Sequence, residues 1–244
     1  MIDLHFTPSP NSLKIKIALE ELGLEHRIKK YDLYKGDHLA PEFHTINPNH
    51  KLPAIVDHDP ADGGEPFNVI ESGAILQYLA EKTGKLIPSD MRGRSLAIQW
   101  LTWQVAGPGP MLGQAGHFLR YAPPGDHEYS TNRYVSESKR LVQVLDNRLK
   151  RGRYLAGDEY SIADIACWPV FQMFTPFLGI DLGDFEYAGR WRDEILARPA
   201  VQASMSIPEM GGGSSREYDE NPELTEEEWS NTFGNRMLSA VQED

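Results

Sequence analysis

The sequence predicts a protein of two domains, in which a mixed α/β domain precedes a domain built only from helices. Within the first 85 residues, strand and helix patterns follow one another in the order βαβ and then ββα. Beyond residue 94, strand patterns stop and apolar residues recur at helical spacing in several segments. At 244 residues, the chain is long enough for both domains to bury a core.

The βαβ half begins with the strand pattern IDLHF at 2–6. Ser9 and Pro10 have the residue types preferred at an N-cap and at a first helical position, so a helix is expected from Pro10. Gly23 follows Leu22 and predicts the end of that helix. The alternating pattern that comes next, at 24–33, predicts the second strand.

The ββα half follows a segment at 37–48 that is either a short helix or a loop. The β-branched stretch at 52–58 predicts a buried strand, and turn residues at 59–66 connect it to a further strand at 67–70. An amphipathic helix is then expected over 71–84, where a glycine ends it. The two strands are expected to form a β-hairpin.

A change of composition predicts a linker at 86–92, which separates domain 1–85 from a helical domain at 93–205. Two prolines and four glycines at 106–118 are expected to interrupt the first of its helices. The segments with helical spacing lie near 91–121, 131–151, 161–179 and 186–198.

The remaining segment, 206–244, starts with a glycine- and serine-rich run and becomes acidic. Thr225 and Glu228 have the spacing of a capping box, which predicts a short helix near 226–233. A disordered tail is the alternative. Three apolar side chains in this acidic segment are candidates for packing on another part of the chain: Trp229, Phe233 and Met237.

Composition excludes several classes of function. The net charge of −12 argues against nucleic acid or an anionic membrane as the main partner, because both need a basic surface. No apolar run reaches the length of a membrane span, and the N-terminal stretch lacks the pattern of a secretory signal, so a cytoplasmic location is expected. Cys167 is the one cysteine, so any thiol chemistry needs a thiol from a ligand.

Two short stretches suggest ligand contacts in the first domain. Pro53 opens a strand that it cannot fully hydrogen-bond; if the Leu52–Pro53 bond is cis, the backbone of Leu52 can pair with an extended peptide ligand. Ser72 is expected to be an N-cap, and Glu71 precedes it. A helix N-terminus binds a carboxylate and a glutamate binds an ammonium, so the pair fits the head of an amino acid. An ordinary edge-strand proline and plain helix capping are the alternatives.

A third stretch has a structural interpretation. Ser161 and Asp164 form an N-capping pair at the start of a strongly apolar helix. Asp164 is therefore expected to stabilise the fold, and Cys167 on the same helix is expected to be a buried core thiol.

These features together resemble the cytosolic glutathione transferases over residues 1–205. The phrases PNHKLPAIVDHDPADGGEPFNVIESGAIL, QWLTWQVAGPGPMLGQAGHF and YSIADIACWP are similar to the Nu class, the YfcG-like bacterial group, and to the fungal Ure2p-like group. The resemblance implies a thioredoxin-like N-terminal domain of order βαβαββα, an all-α helical bundle after it, a homodimer, and glutathione as co-substrate with no metal.

The resemblance also implies roles for individual residues. Glu71 and Ser72 would bind the γ-glutamyl head, and Leu52, before a cis Pro53, would pair with the cysteinyl part. Arg133 would reach glutathione from the helical domain, either in the same subunit or from the other one. The remaining implied contacts are Lys51 and His38 at the glycyl end, and Phe118 and Tyr121 in a second site, unless these two are simply packed.

The resemblance also implies that the glutathione sulfur binds at the start of the first helix. No tyrosine follows the first strand, and the Thr-Pro-Asn pattern of the Nu class reads Ser9-Pro10-Asn11 here. Ser9 and Asn11 are the expected thiolate-binding residues, with Ser12 a third candidate, because helix N-termini lower thiol pKa values.

The implied activity is glutathione-dependent disulfide reduction, with two glutathiones or one glutathione disulfide per site and a possible peroxidase activity. Conjugation of glutathione or displacement of an ether or halide from an electrophile is one alternative. A non-enzymatic glutathione-binding regulator is the other.

Overall fold

The computed structural model describes residues 1–123, 125, 127–208 and 223–242. Its N-terminal part is a four-stranded sheet in the order β2-β1-β3-β4. β1 runs parallel to β2 and antiparallel to β3, and β3 and β4 form the expected hairpin. The strands are β1 Ile2–Phe6, β2 His26–Lys30, β3 Ala54–Asp57 and β4 Phe67–Ile70. β2 is shorter than the predicted strand at 24–33, because only His26–Lys30 of that stretch pair with β1.

Three helices accompany this sheet: α1 Pro10–Leu22, α2 Pro41–His44 and α3 Ser72–Thr83. α1 begins and ends as predicted, since Ser9 is its N-cap and Gly23 closes it with a φ of 65°. The predicted order of βαβ followed by ββα is therefore confirmed.

The second part contains only helices among the described residues. They are α4 Met91–Ala106, α5 Pro108–Arg120, α6 Glu128–Leu149, α7 Ile162–Phe174, α8 Glu186–Leu196 and α9 Pro199–Met205. The interruption expected over 106–118 is confined to Gly107, because Pro108 occupies the first position of a new helix, where proline is tolerated. α4 starts at Met91, inside the expected linker 86–92, because the side chain of Asp90 caps it.

α7 lies at the centre of the molecule and contacts α1 and α3 of the first part as well as α4 and α5. Its residues from Ile162 to Phe171 are all buried, which agrees with a helix that is apolar on every side. Cys167 is fully buried there, as expected. No helix among the described residues is long and apolar enough to cross a membrane.

Two further helices follow in the C-terminal segment, α10 Glu226–Thr232 and α11 Asn235–Gln242. The capping box predicted from Thr225 and Glu228 is present, with both reciprocal hydrogen bonds formed. Of the two alternatives for this segment, the helix is therefore confirmed. Asn231 of α10 is fully buried and donates from Nδ2 to the carbonyl oxygen of Tyr34 at 2.7 Å, which fixes α10 against the first domain.

Candidate functional site

A cavity of about 630 Å³ lies where the N-terminus of α1 faces α5 and the C-terminal helices. This volume is within the range of small-molecule sites. Five of the residues predicted to bind glutathione line it: Ser9, Asn11, His38, Lys51 and Leu52. The other lining residues are Thr7, Leu33, His50, Gly113, Gln114, His117, Trp229, Thr232, Phe233 and Met237.

The N-terminus of α1 has a backbone donor left over at this cavity. Pro10 has no N–H, the N–H of Ser12 donates to Oγ of Ser9 at 3.2 Å, and the N–H of Leu13 donates to the Ser9 carbonyl at 3.0 Å. Among the described residues, the N–H of Asn11 has no hydrogen-bond acceptor. An anion in the cavity can therefore be bound by this donor, and the helix dipole favours it.

The two predicted thiolate-binding side chains differ in their hydrogen bonds. The hydroxyl of Ser9 caps the helix through Ser12 and also donates to Oγ of Ser12 at 3.2 Å. The side chain of Asn11 is exposed to the cavity, and its Oδ1 accepts from Nζ of Lys14 at 2.7 Å, so its Nδ2 is left to donate. Asn11 is therefore better placed than Ser9 to donate to a sulfur. Ser12, the third candidate, is fully buried and does not line the cavity.

The pair Glu71 and Ser72 occupies the start of α3, with one correction to the prediction. The N-cap is Glu71, and Ser72 is the first helical residue, so Ser72 does not cap the helix. Glu71 has a φ of 64° and a ψ of 118°, a conformation that costs energy in a residue with a side chain and that is concentrated at functional sites. Oγ of Ser72 lies 3.5 Å from the same Nζ of Lys14 that binds Asn11. The two predicted subsites, for the γ-glutamyl head and for the sulfur, are therefore neighbours.

The loop before β3 has the geometry that peptide pairing requires. The Leu52–Pro53 bond is cis. Neither the N–H nor the C=O of Leu52 bonds to backbone elsewhere in the described part of the chain. The loop is held from behind, because Nδ2 of Asn47 donates to the Lys51 carbonyl at 2.7 Å and Nδ1 of His50 contacts the His38 carbonyl at 2.7 Å.

Two histidines of the cavity have pKa values below the ordinary range. Burial is the main reason that the pKa of His38 falls to about 4, and burial also lowers the pKa of His117. His38 contacts Sδ of Met237 at 3.3 Å through Nε2, while its buried Nδ1 has no partner among the described residues. His38 can therefore offer a ligand a neutral hydrogen bond but no charge.

The wall opposite α1 is aromatic. The ring of Phe233 lies 4.8 Å from the ring of His117, 5.0 Å from Tyr121 and 5.1 Å from Trp229, measured between centroids. His117 and Phe233 also line an adjoining cavity of about 260 Å³, to which Tyr121, Phe174 and other apolar residues contribute. The packing suggested by the sequence for Trp229, Phe233 and Met237 thus takes place on the site itself.

Besides Ser12, five predicted residues line neither cavity: Pro53, Glu71, Ser72, Arg133 and Phe118. The last two belong to the helical part. Arg133 on α6 is 58% exposed and pairs loosely with Glu137 at 3.8 Å. Phe118 stacks on Tyr134 with ring centroids 5.7 Å apart, so it is packed within the helical part, which is the alternative left open for it.

Sequence reasoning missed two side chains beneath the site. Lys14 is 1% exposed, and its Nζ donates to Oε1 of Gln104 on α4 at 2.7 Å, as well as to Asn11. The signal was present, because Lys14 and Lys16 interrupt the apolar run from Leu13 to Leu19 on a helix that is buried on most sides.

Comparison with known protein families places this geometry in context. The family model described as glutathione S-transferase, N-terminal domain, matches residues 1–81, and that of the glutathione S-transferase C-terminal domain matches residues 114–199. The disulfide-bond oxidoreductase YfcG of Escherichia coli is 49% identical over 211 residues, which is 86% of this chain and 97% of that protein.

Solved structures show the same likeness. A glutathione transferase from Burkholderia graminis, with two glutathione molecules bound per subunit, is 43% identical with a TM-score of 0.80, over 85% of this chain and 88% of that one. A glutathione transferase from Pseudomonas putida, with one glutathione disulfide bound per subunit, is 41% identical with a TM-score of 0.79, over 85% of this chain and 91% of that one.

Proposed function

The chain belongs to the glutathione S-transferase family, and we propose that it reduces disulfides with the thiol of bound glutathione, as a member of the Nu class. The observation that carries the proposal is the position of the one cysteine. Cys167 is fully buried on α7, and burial raises the pKa of its thiol well above the usual range. The protein thus offers no reactive thiol of its own, and the thiolate must come from the ligand.

Glutathione is proposed to bind across the start of α1, the loop before β3 and the start of α3. The γ-glutamyl head lies against Glu71 and Ser72, and the cysteinyl backbone pairs with Leu52. The sulfur faces Asn11, which lines the cavity and whose backbone N–H and Nδ2 have no acceptor among the described residues. Lys51 and His38 lie at the glycyl end, with His38 acting as a neutral hydrogen-bonding group.

The reaction proceeds in two exchanges. The first glutathione thiolate attacks one sulfur of a disulfide RSSR, forms the mixed disulfide RSSG and releases RS⁻. A second glutathione thiolate attacks the glutathione sulfur of RSSG, forms glutathione disulfide and releases the second RS⁻. Each RS⁻ takes up a proton, so that two glutathiones and one disulfide give one glutathione disulfide and two thiols.

The second glutathione requires space beside the first. The main cavity of about 630 Å³ adjoins the one of about 260 Å³, and they share six lining residues: Ser9, Leu33, Gly113, His117, Thr232 and Phe233. Relatives with two glutathiones or one glutathione disulfide per subunit support this stoichiometry. Tyr121 lines the smaller cavity and is proposed to contact the second glutathione, whereas Phe118 stacks on Tyr134 and is not.

Conjugation of glutathione to an electrophile is the second candidate, and the smaller cavity favours it. This cavity is lined mainly by apolar side chains, among them Met173, Phe174 and Phe177, which suit an apolar acceptor. The first step is the same thiolate attack, so the two functions differ only in the acceptor.

We further propose the homodimer and the cytoplasmic location that are usual for this family. Arg133 of the helical part is proposed to reach glutathione across the dimer.

The domain bounds are proposed as 1–85 and 93–205, and α4 begins two residues before the second domain. The C-terminal segment 206–244 contributes α10 and α11 to the cavity wall.

Steady-state assays with glutathione separate the two functions. We expect turnover of 2-hydroxyethyl disulfide that exceeds turnover of 1-chloro-2,4-dinitrobenzene, and calorimetry is expected to give two glutathiones per subunit. Cys167→Ala is the matched control and is expected to retain the reductase activity, since the attacking sulfur belongs to glutathione. Turnover of the aromatic chloride alone would assign the chain to conjugation, and loss of reduction in a folded Cys167→Ala variant would refute the ligand thiol.

A further inference from the structure

A buried lysine lies directly behind the thiol site. Lys14 is on α1, one helical turn after Asn11, and its side chain points into the interface between the two domains. Nζ donates to Oδ1 of Asn11 and to Oε1 of Gln104, both at 2.7 Å, and lies 3.5 Å from Oγ of Ser72. Among the described residues, no carboxylate forms an ion pair with Lys14.

Such a residue is costly to keep for packing alone. Burial of an ammonium without a counter-ion is unfavourable, and burial lowers the pKa of Lys14 to about 7. Gln104 adds a second cost, because its Nε2 is buried without a partner in the described part of the chain while Oε1 is turned toward Lys14. An apolar side chain of similar volume would avoid both costs.

The contact determines which end of the Asn11 amide faces the cavity. An ammonium donates and cannot accept, so the atom of Asn11 beside Nζ has to be Oδ1. Nδ2 is then the end of the amide that is free to donate, and Asn11 is exposed at the cavity. A neutral amine keeps two N–H groups, which suffice for the amide oxygens of Asn11 and Gln104.

We propose that Lys14 is a positioning residue, which holds Oδ1 of Asn11 so that Nδ2 donates to the glutathione sulfur and stabilises the thiolate. The inference rests on the proposed glutathione chemistry and adds a residue to it. Gln104 extends the arrangement to α4, so the helical domain helps to orient the amide at the sulfur site.

Substitution of Lys14→Met tests the proposal, because methionine fills similar space without donating. The matched control is Lys16→Met, two residues along the same helix. Lys16 is also buried, but it pairs with Glu20 and contacts Nε2 of His26 at 3.0 Å, away from the cavity. Circular dichroism and thermal melts first establish that each variant folds.

The main readout is the pKa of the bound glutathione thiol, titrated by the ultraviolet absorbance of the thiolate. Lys14→Met is expected to raise this pKa by about 1 unit, which reduces the thiolate about tenfold at a pH well below the wild-type value. At such a pH the reductase kcat is expected to fall about tenfold while KM for glutathione changes less than about threefold, since the contact acts on the thiolate and not on overall affinity. Lys16→Met is expected to leave all three values unchanged.

A double-mutant cycle tests whether Lys14 acts through Asn11. In the Asn11→Ala background, Lys14→Met is expected to cost less than about threefold in kcat. An equal loss in both backgrounds, an unchanged thiol pKa, or a Lys14→Met variant that unfolds while Lys16→Met folds would overturn the positioning role. If wild-type protein binds no glutathione in calorimetry, the proposed function itself fails, and this outcome is separate from the others.

Discussion

Two helices of this protein, α1 and α7, both begin with a serine N-cap, but the two N-termini differ in which backbone donors remain unoccupied. α1 starts behind Ser9 and α7 starts behind Ser161, and each serine caps its helix through a backbone N–H. At α7 the remaining donors are also occupied. The N–H of Ile162 donates to the Leu86 carbonyl at 2.9 Å, and Asp164 accepts from the backbone and the hydroxyl of Ser161 at 3.1 Å.

α1 lacks such a carboxylate. Its third helical residue is Ser12, where α7 has Asp164, and the N–H of Asn11 remains unoccupied at the cavity. A helix end that satisfies its own donors contributes to stability, whereas an end that leaves a donor at a cavity can bind an anion. The comparison separates a structural N-terminus from a binding one, although both have a serine cap.

The first prediction concerns the start of α7, which we call the closed end because its donors are all occupied, and it has the largest expected effect. Asp164 accepts four hydrogen bonds, including those from the Leu155 N–H and from Nε1 of Trp191, both at 2.9 Å. Asp164→Ala leaves these buried donors without an acceptor and is expected to lower the free energy of unfolding by about 4 kcal/mol. Urea denaturation measures the loss.

Asp164→Asn serves as the control, because it keeps one acceptor oxygen and is expected to lose about half as much. The affinity of the folded protein for glutathione is expected to be unchanged in both variants. A loss below about 1 kcal/mol for Asp164→Ala would mean that α7 does not depend on its capping box.

The second prediction concerns the start of α1, which we call the open end because the N–H of Asn11 has no acceptor among the described residues. Asn11→Ala removes the Nδ2 donor at the sulfur and is expected to lower the reductase kcat about thirtyfold, which is less than the roughly hundredfold or larger loss found for single donors to a developing oxyanion. The dissociation constant of glutathione is expected to change less than about threefold, because the contacts at Glu71, Ser72 and Leu52 remain. Stopped-flow and calorimetric measurements give the two values separately.

The matched control is Ser161→Ala, at the cap of the other helix. It is expected to lower the free energy of unfolding by about 1 kcal/mol and to leave kcat unchanged. An Asn11→Ala variant with an unchanged kcat would remove Asn11 from the thiolate role and return attention to Ser9.

The two helix ends also show what the sequence can predict. Both caps were predictable because the cap residues and their partners are neighbours in the chain. The capping box of α10 and the order of the elements along the first 85 residues were predictable for the same reason. The role of Ser72 was misplaced by one position, since the positive φ of Glu71 starts the helix one residue earlier than residue preference suggests.

Contacts between distant residues were harder to predict. The bond from Lys14 to Gln104 joins residues 90 positions apart, and that from Asn231 to Tyr34 spans 197. In neither case does the local sequence around the two residues reveal the contact. Trp229, Phe233 and Met237 were candidates for packing because they are apolar in an acidic segment, but only the structure shows that they line the cavity.

The third prediction uses the buried ionisable group beneath the open end. Because burial lowers the pKa of Lys14 to about 7 from an ordinary value of 10.5, the unfolded chain binds more protons than the native one between these values. The destabilisation by Lys14 is therefore complete below about pH 7 and disappears as the pH rises toward 10.5. Lys14→Met is expected to unfold with a free energy about 1 kcal/mol higher than wild type at pH 6, and the difference is expected to shrink by pH 10.

Urea denaturation across this pH range gives the measurement, and Lys16→Met again provides the control on the same helix. Cys167 on α7 is the titratable group that faces Lys14, and burial keeps its thiol protonated through most of this window. A gain in stability together with a loss of turnover in Lys14→Met would show that the open helix end keeps a costly lysine for function. A stability difference that grows with pH would contradict the lowered pKa of Lys14, and the comparison with the closed end would then rest on the backbone donors alone.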